Sequence, residues 1–328
     1  MPLYHVKHIT RYKYPEPVTD SANQIMLKPQ SSDHQEINDI KITISPNVPI
    51  DYFIDYLGNS TGVFTIVEPH SELEIVADLE VVTHPVNFPM PTAFPDEEWK
   101  VLFQLKDTFD FIDFARPDMY KYRPEVEAVA KGIAQPGVSV FETISKLAEY
   151  IYTNFTYKQG VTNVSTKIDE VWELKAGVCQ DFAHLLLEML RTISIPSRYI
   201  SGYICPVNHE LRGEGATHAW VEAYIPDYGW FAIDPTNNCW VSDRHVKIAF
   251  GRNFSDCTPV KGTYKGPSNH KLTVSVIISN EKGDENAHVF AEPAYVSETA
   301  PVEVTTIPVN SYQKFLDMQQ QQQQQQQQ

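Results

Sequence analysis

Residues 177–235 restrict the fold of this chain more than any other stretch, because they spell out one helix followed by three β-rich runs. Gly177 closes a loop just ahead of the apolar positions Phe182, Leu185, Leu186, Met189 and Leu190, whose spacing predicts a helix that ends before Pro196. Residues 197–204, 217–225 and 230–234 are then rich in β-branched and aromatic side chains, with the turn signal Pro226-Asp227-Tyr228-Gly229 between the last two. Cys179 falls in the first turn of the helix, and His218 and Asp234 fall on strands. A helix N-terminus packed on neighbouring strands brings these three together although they are far apart in the chain.

Their order is that of a thiol nucleophile, its base and the group that orients the base. A thiol attacks an acyl carbon only as thiolate, so it needs a proton acceptor and a field that favours the anion. The first turn of a helix offers free N–H groups and the positive end of the dipole, and the N–H of Cys179 can face an oxyanion. A carboxylate at Asp234 can hold the imidazole tautomer. His184 is a rival base, but it lies five residues along the same helix, about 140° around, and is expected to be structural. Asp181 reads as a dipole-favoured helix starter and Gln180 as a residue lining the cleft. Trp172 reads as core, and Cys205, Cys239 and Cys257 as buried thiols. A zinc cluster of His209, His245, Cys205 and Cys239 is the competing reading; without His-Glu-x-x-His or paired cysteine spacing, neither metal nor cofactor is expected.

The runs from Gly177 to Ala183, from Pro196 to Tyr203, from His218 to Glu222 and from Gly229 to Thr236 resemble the transglutaminase-like superfamily, papain-like thiol enzymes that order their triad Cys, His, Asp. The stretch from Tyr4 to Tyr14, with Pro17-Val18 and the later Asp55-Tyr56-Leu57-Gly58-Asn59, is similar to the β-region that precedes the core in bacterial members. Residues 245–252 and 259–262 continue the pattern, and Asn253-Phe254 departs from the acid and tyrosine that relatives often carry there. The resemblance implies Cys179, His218 and Asp234 as catalytic residues, with Tyr157 carried over as a second oxyanion donor. It also implies a peptidase or amidase if water resolves the thioester, and a protein-glutamine transglutaminase if an amine does. Members that have lost triad residues act as scaffolds, so a non-catalytic binding role is the third reading.

Periodicity divides the chain further. Tyr4, Val6, His8, Thr10 and Tyr12 alternate with Lys7, Arg11 and Lys13, and residues 40–44 and 73–81 alternate likewise, so 1–84 is expected to form an antiparallel, sandwich-like β-domain. Prolines 85, 89, 91 and 95 mark a connector that runs with short helices to 135. Ser139 and Glu142 form a capping-box signature that opens an amphipathic helix and the catalytic core, 136–265. Residues 266–318 are expected to hold C-terminal strands, including 272–277, and the ten glutamines 319–328 a disordered tail. The fold class is therefore α+β, with a helix packed on an antiparallel sheet in the core. A net charge of −16 without any basic run argues against a nucleic-acid partner. There is no apolar leader, no membrane-length apolar run and no Cys-x-x-Cys, so a cytoplasmic protein with free thiols and no membrane partner is expected. The substrate class is a peptide, a protein or a small amide; oligomeric state is not legible.

Overall fold

The computed structural model describes residues 1–89, 94–205, 211–213, 217–267 and 269–280, together with the backbone of Tyr295 and Val296. The long strand β1 (Leu3–Ile25) is the spine of the N-terminal half. Its first part buries Tyr4, Val6, His8 and Thr10 and leaves Lys7 and Lys13 exposed, the alternation expected of a strand covered on one face. Here β1 pairs antiparallel with β5 (His70–Thr83), which in turn pairs with β2 (Gln35–Ser45). Leu73, Ile75, Ala77, Leu79 and Val81 of β5 all face the core. Pro15 and Pro17 have no N–H to give to a ladder, and the register of β1 against β5 shifts between Lys13 and Val18. Past that bend β1 pairs instead with β4 (Ser60–Ile66), whose other neighbour is β3 (Asp51–Ile54).

Three helices follow: α1 (Pro95–Leu105), α2 (Ile112–Ala115) and α3 (Arg123–Ile133). Pro95 occupies the start of α1, where its missing N–H would have no intrahelical acceptor anyway. It therefore opens the first of the short helices in the stretch 85–135. In α4 (Val140–Asn154) the Ser139 hydroxyl accepts from Glu142 N at 3.2 Å, and Ile144, Leu147, Ala148 and Ile151 form the buried stripe. The short parallel pair β6 (Thr156–Tyr157) and β7 (Ala176–Gly177) flanks α5 (Ile168–Leu174).

The core sheet is antiparallel throughout. Its order is β11 (Cys239–Trp240), β10 (Gly229–Asp234), β9 (Thr217–Ile225), β8 (Ser197–Ile204), β12 (His245–Gly251). The helix α6 (Cys179–Thr192) lies across β8 and β9, with α3, α4 and α5 also packed against it. Phe182, Leu185, Leu186, Met189 and Leu190 are all buried there, each such burial stabilising by about 1.5–3 kcal/mol. This is the α+β arrangement of one helix on an antiparallel sheet.

The chain then returns to its start. β13 (Val260–Lys265) pairs with the second part of β1 and β14 (Lys271–Asn280) with the first, so the N-terminal sheet is completed by residues from beyond the core. β15 (Tyr295–Val296) adds to β14. Residues 281–294 and 297–318, and the glutamine run 319–328, lie outside the described residues. No helix among the described residues is long and apolar enough to cross a membrane.

Two side-chain amides join the halves. Gln35 receives Lys247 N and donates to Lys247 O, both at 2.8 Å, and Asn59 receives Phe250 N at 2.9 Å and donates to Phe250 O at 2.8 Å. Both target residues lie on β12, the edge of the core sheet, so each amide stands in for a peptide group of a further strand. His8 Nδ1 to Tyr203 Oη at 2.8 Å and Thr83 Oγ1 to Asp243 O at 2.6 Å complete the contact.

Candidate active site

Cys179 is the first residue of α6, and the local sequence explains why the helix begins there. The Asp181 carboxylate turns back to accept from Val178 N at 2.8 Å and from Thr162 Oγ1 at 2.7 Å, so it ties the helix start to the preceding loop. A Cβ at position 177 would stand 2.7 Å from Asp181 Oδ2, which is why that position holds glycine. Burial raises the Asp181 carboxyl above its usual value, with the two hydrogen bonds opposing. Cys179 itself is only partly buried, and its N–H, at the first helical position, has no intrahelical acceptor.

His218 and Asp234 sit at the same end of adjacent strands, β9 and β10. His218 Nε2 donates to Asp234 Oδ2 at 2.8 Å, and both side chains are fully shielded from solvent. The carboxylate receives two further donors, Thr236 N on Oδ1 at 2.8 Å and Asn237 Nδ2 on Oδ2 at 2.7 Å. Burial alone would lower the pKa of His218. The charge of Asp234, then that of Cys179, and hydrogen bonding to both reverse this and push it up to about 10. Burial would raise Asp234, yet the charge and hydrogen bond of His218, followed by His245, hold it well below the usual carboxylate range. With Nε2 committed to Asp234, Nδ1 has no partner within normal hydrogen-bond distance among the described residues. Trp220 stacks on the ring, with centroids 6.2 Å apart.

Apart from His209, the residues singled out in the sequence have definite places. His184 accepts from Phe254 N at 3.1 Å through Nε2, and burial, then Arg191, push its pKa down to about 4. It is thus a neutral imidazole that anchors the segment after β12. Gln180 lies on the exposed side of the helix start and donates to Val164 O at 3.4 Å. Tyr157 is half-buried on β6, and its hydroxyl lies 3.6 Å from the point where a side chain at Gly213 would begin, a point 3.1 Å from His218 Nδ1. Trp172, Cys205 and Cys257 are buried, whereas Cys239 is only partly so and stands opposite Asp234 on the β10–β11 ladder. His209 lies outside the described residues.

Asn237 is not singled out in the sequence, and His245 is singled out there only as a possible zinc ligand. His245, on β12, accepts from Ser242 N at 3.4 Å through Nδ1 and brings Nε2 to 3.6 Å from Asp234 Oδ2. Burial lowers its pKa against the pull of Asp234, so a neutral ring faces the carboxylate. His218, Asp234 and His245 also bring possible metal-ligand atoms within 4.8 Å of one another. Asp234 Oδ2, however, already accepts from His218 and Asn237, so its lone pairs are committed to hydrogen bonds.

The family model of the transglutaminase-like superfamily matches residues 127–235, from α3 to the end of β10, and that of the bacterial transglutaminase-like N-terminal region matches residues 4–82. The uncharacterized protein Rv2569c of Mycobacterium tuberculosis is 32% identical over 297 residues, covering 86% of this chain and 94% of its own. The chain belongs to the transglutaminase-like superfamily. The fold is similar to that of a solved Cytophaga hutchinsonii protein, provisionally designated a cysteine protease. It has a TM-score of 0.68 at 22% identity, over 88% of this chain and 94% of that one. A shorter likeness joins the chain to a protein-glutamine gamma-glutamyltransferase of Pseudomonas aeruginosa, 32% identical over 87 residues, which is 25% of this chain and 13% of that protein.

Proposed function

We propose that this superfamily member is a thiol-dependent acyl-transfer enzyme that hydrolyses peptide or carboxamide bonds. The observation that carries the reading is the imidazole of His218, fixed by Asp234 through Nε2 and acted on by Cys179. In the proposed reaction the Cys179 thiolate adds to the carbonyl carbon, and the Cys179 N–H together with the Tyr157 hydroxyl steadies the oxyanion. The imidazolium of His218 gives its proton to the leaving nitrogen as the C–N bond breaks and the thioester forms. Water then loses a proton to the neutral imidazole, attacks the thioester and releases the acid, and the thiolate leaves. Hydrolysis is preferred to transamidation because an amine must outcompete bulk water for the acyl-enzyme. The likeness to the Pseudomonas glutamyltransferase makes amine transfer the second reading.

A peptide library assayed with and without a primary amine separates the outcomes. A hydrolase forms acid at a rate nearly independent of the amine, and Cys179→Ala abolishes it while leaving the thermal midpoint in place. Ligated product that rises with amine while little acid forms would identify a transglutaminase. Turnover that survives in Cys179→Ala would refute the thiol mechanism.

A further inference from the structure

The Asn237 amide is engaged on every side. Beyond its bond to Asp234 Oδ2, it accepts from Arg212 N at 2.7 Å and donates to Arg212 O at 3.2 Å, so one planar group holds both the carboxylate and the backbone of Leu211–Gly213. Two further contacts keep that segment in place. Arg212 Nη1 reaches Thr236 O at 3.5 Å, and its guanidinium lies over the Tyr152 ring of α4 at 4.1 Å. Gly213, at φ +78°, then passes across the Nδ1 edge of His218: a Cβ there would stand 3.1 Å from Nδ1, 3.5 Å from Cε1 and 3.6 Å from the Tyr157 hydroxyl. The backbone reaches this position only because the residue is glycine.

We propose that Asn237 is a positioning residue that fixes the Asp234 carboxylate, and through it His218, while seating Leu211–Gly213 as the wall of the cleft beside Nδ1. The inference rests on the thiol reading above. Two donors on Oδ2 and one on Oδ1 leave the carboxylate a single plane, and that plane sets the tilt of the imidazole. The same amide sets the distance of the wall from the ring, so the aim of the base and the width of the cleft are adjusted together.

Alkylation by iodoacetamide, followed at each cysteine by mass spectrometry, tests this without a substrate. Asn237→Ala should slow modification of Cys179 at pH 7 about ten- to a hundredfold, the scale of one hydrogen bond to a charged group. Cys205, Cys239 and Cys257 should label as in the wild type. Asn237→Asp keeps the shape but loses the donors and sets a second carboxylate against Asp234. Its rate should be lower still at pH 7 and recover toward pH 5, where the introduced carboxyl regains a proton to donate. A residue that only fills the turn would make the Asp variant the milder of the two, with a loss flat across pH. That pattern, or wild-type rates in both variants, overturns the inference. Wild-type Cys179 reacting no faster than Cys239 removes the thiol reading and this inference with it; a fast wild type with unaffected variants removes the inference alone. If Asn237→Ala does not fold, the isosteric Asp variant decides the question by its pH profile.

Discussion

Replacing Asp234 by asparagine tests the buried pair most directly, because the change keeps the volume while it removes the charge and exchanges one acceptor oxygen for an NH2 donor. Three donors converge on the carboxylate: Thr236 N on Oδ1, and His218 Nε2 and Asn237 Nδ2 on Oδ2. An asparagine can offer its single oxygen to one side. If the oxygen keeps Thr236, its NH2 meets two other N–H donors, and His218 can relieve the clash only by taking the tautomer with Nδ1 protonated, which spoils it as a proton acceptor. The expected loss of turnover is on the order of 10³–10⁴-fold. Removing one partner of a buried pair also costs about 3 kcal/mol in stability. That cost depends on pH in a definite direction. The folded pKa of His218 is raised from 6.5 to about 10, so its share of the stabilisation is fully present below about 6.5 and is lost as pH rises toward 10. Asp234 is held below its ordinary value, so its share is present above about pH 4 and lost on acidification. Urea titrations of both proteins should show the largest difference in midpoint between about pH 4.5 and 6.5, shrinking steadily to pH 10. A variant that retains a tenth of wild-type turnover, or a stability gap that grows with pH, would show that this carboxylate does not hold an imidazolium.

The two histidines near α6 should separate cleanly. On the proposed mechanism Cys179 is alkylated fast at pH 6 and His218→Ala should remove that reactivity, because the proposed base is gone, whereas His184→Ala should leave it largely unchanged and instead loosen the turn at Phe254; the reverse result would exchange their roles. Gln35→Ala and Asn59→Ala each strand one N–H and one C=O of β12, so each should lower stability by about 1–3 kcal/mol in chemical denaturation, and midpoints equal to wild type would deny these amides their part in holding the halves together.

What was legible in the sequence was what local periodicity encodes. The spacing of Phe182 to Leu190 before Pro196 marks α6, and the runs after it mark β8, β9 and β10 because turn residues punctuate them. The exact start of α1 at Pro95 was less legible, because a proline stops a helix or opens one, and only the course of the following residues distinguishes the two. Asn237, and the place of His245 beside Asp234, escaped notice for a different reason. Neither belongs to the Cys-His-Asp order, and His245 approaches Asp234 although β8 and β9 both lie between β12 and β10 in the sheet. For Asn237 a hint was available: it stands three residues after the acid in Asp234-Pro235-Thr236-Asn237, where a short polar side chain can turn back on the carboxylate. Completion of the N-terminal sheet by β13 and β14 was hidden in the same way, since no strand announces its partner's distance along the chain.

The β-region that precedes the core acquires a mechanical role from these contacts. β12 is an edge strand, and an edge strand without partners is free to fray or to pair with another chain. Gln35 and Asn59 supply partners at Lys247 and Phe250, in the strand that begins with His245, and Thr83 adds a bond to Asp243 just before it. His245 lies against Asp234 on one side and against Trp220, with ring centroids 5.2 Å apart, on the other, and Trp220 stacks on His218. The position of the imidazole therefore depends on a strand whose outer edge is held from outside the core. A helix terminus can present Cys179 on its own, but His218 and Asp234 need the sheet to keep its last strand, and side chains contributed by residues 35 and 59 help to keep it.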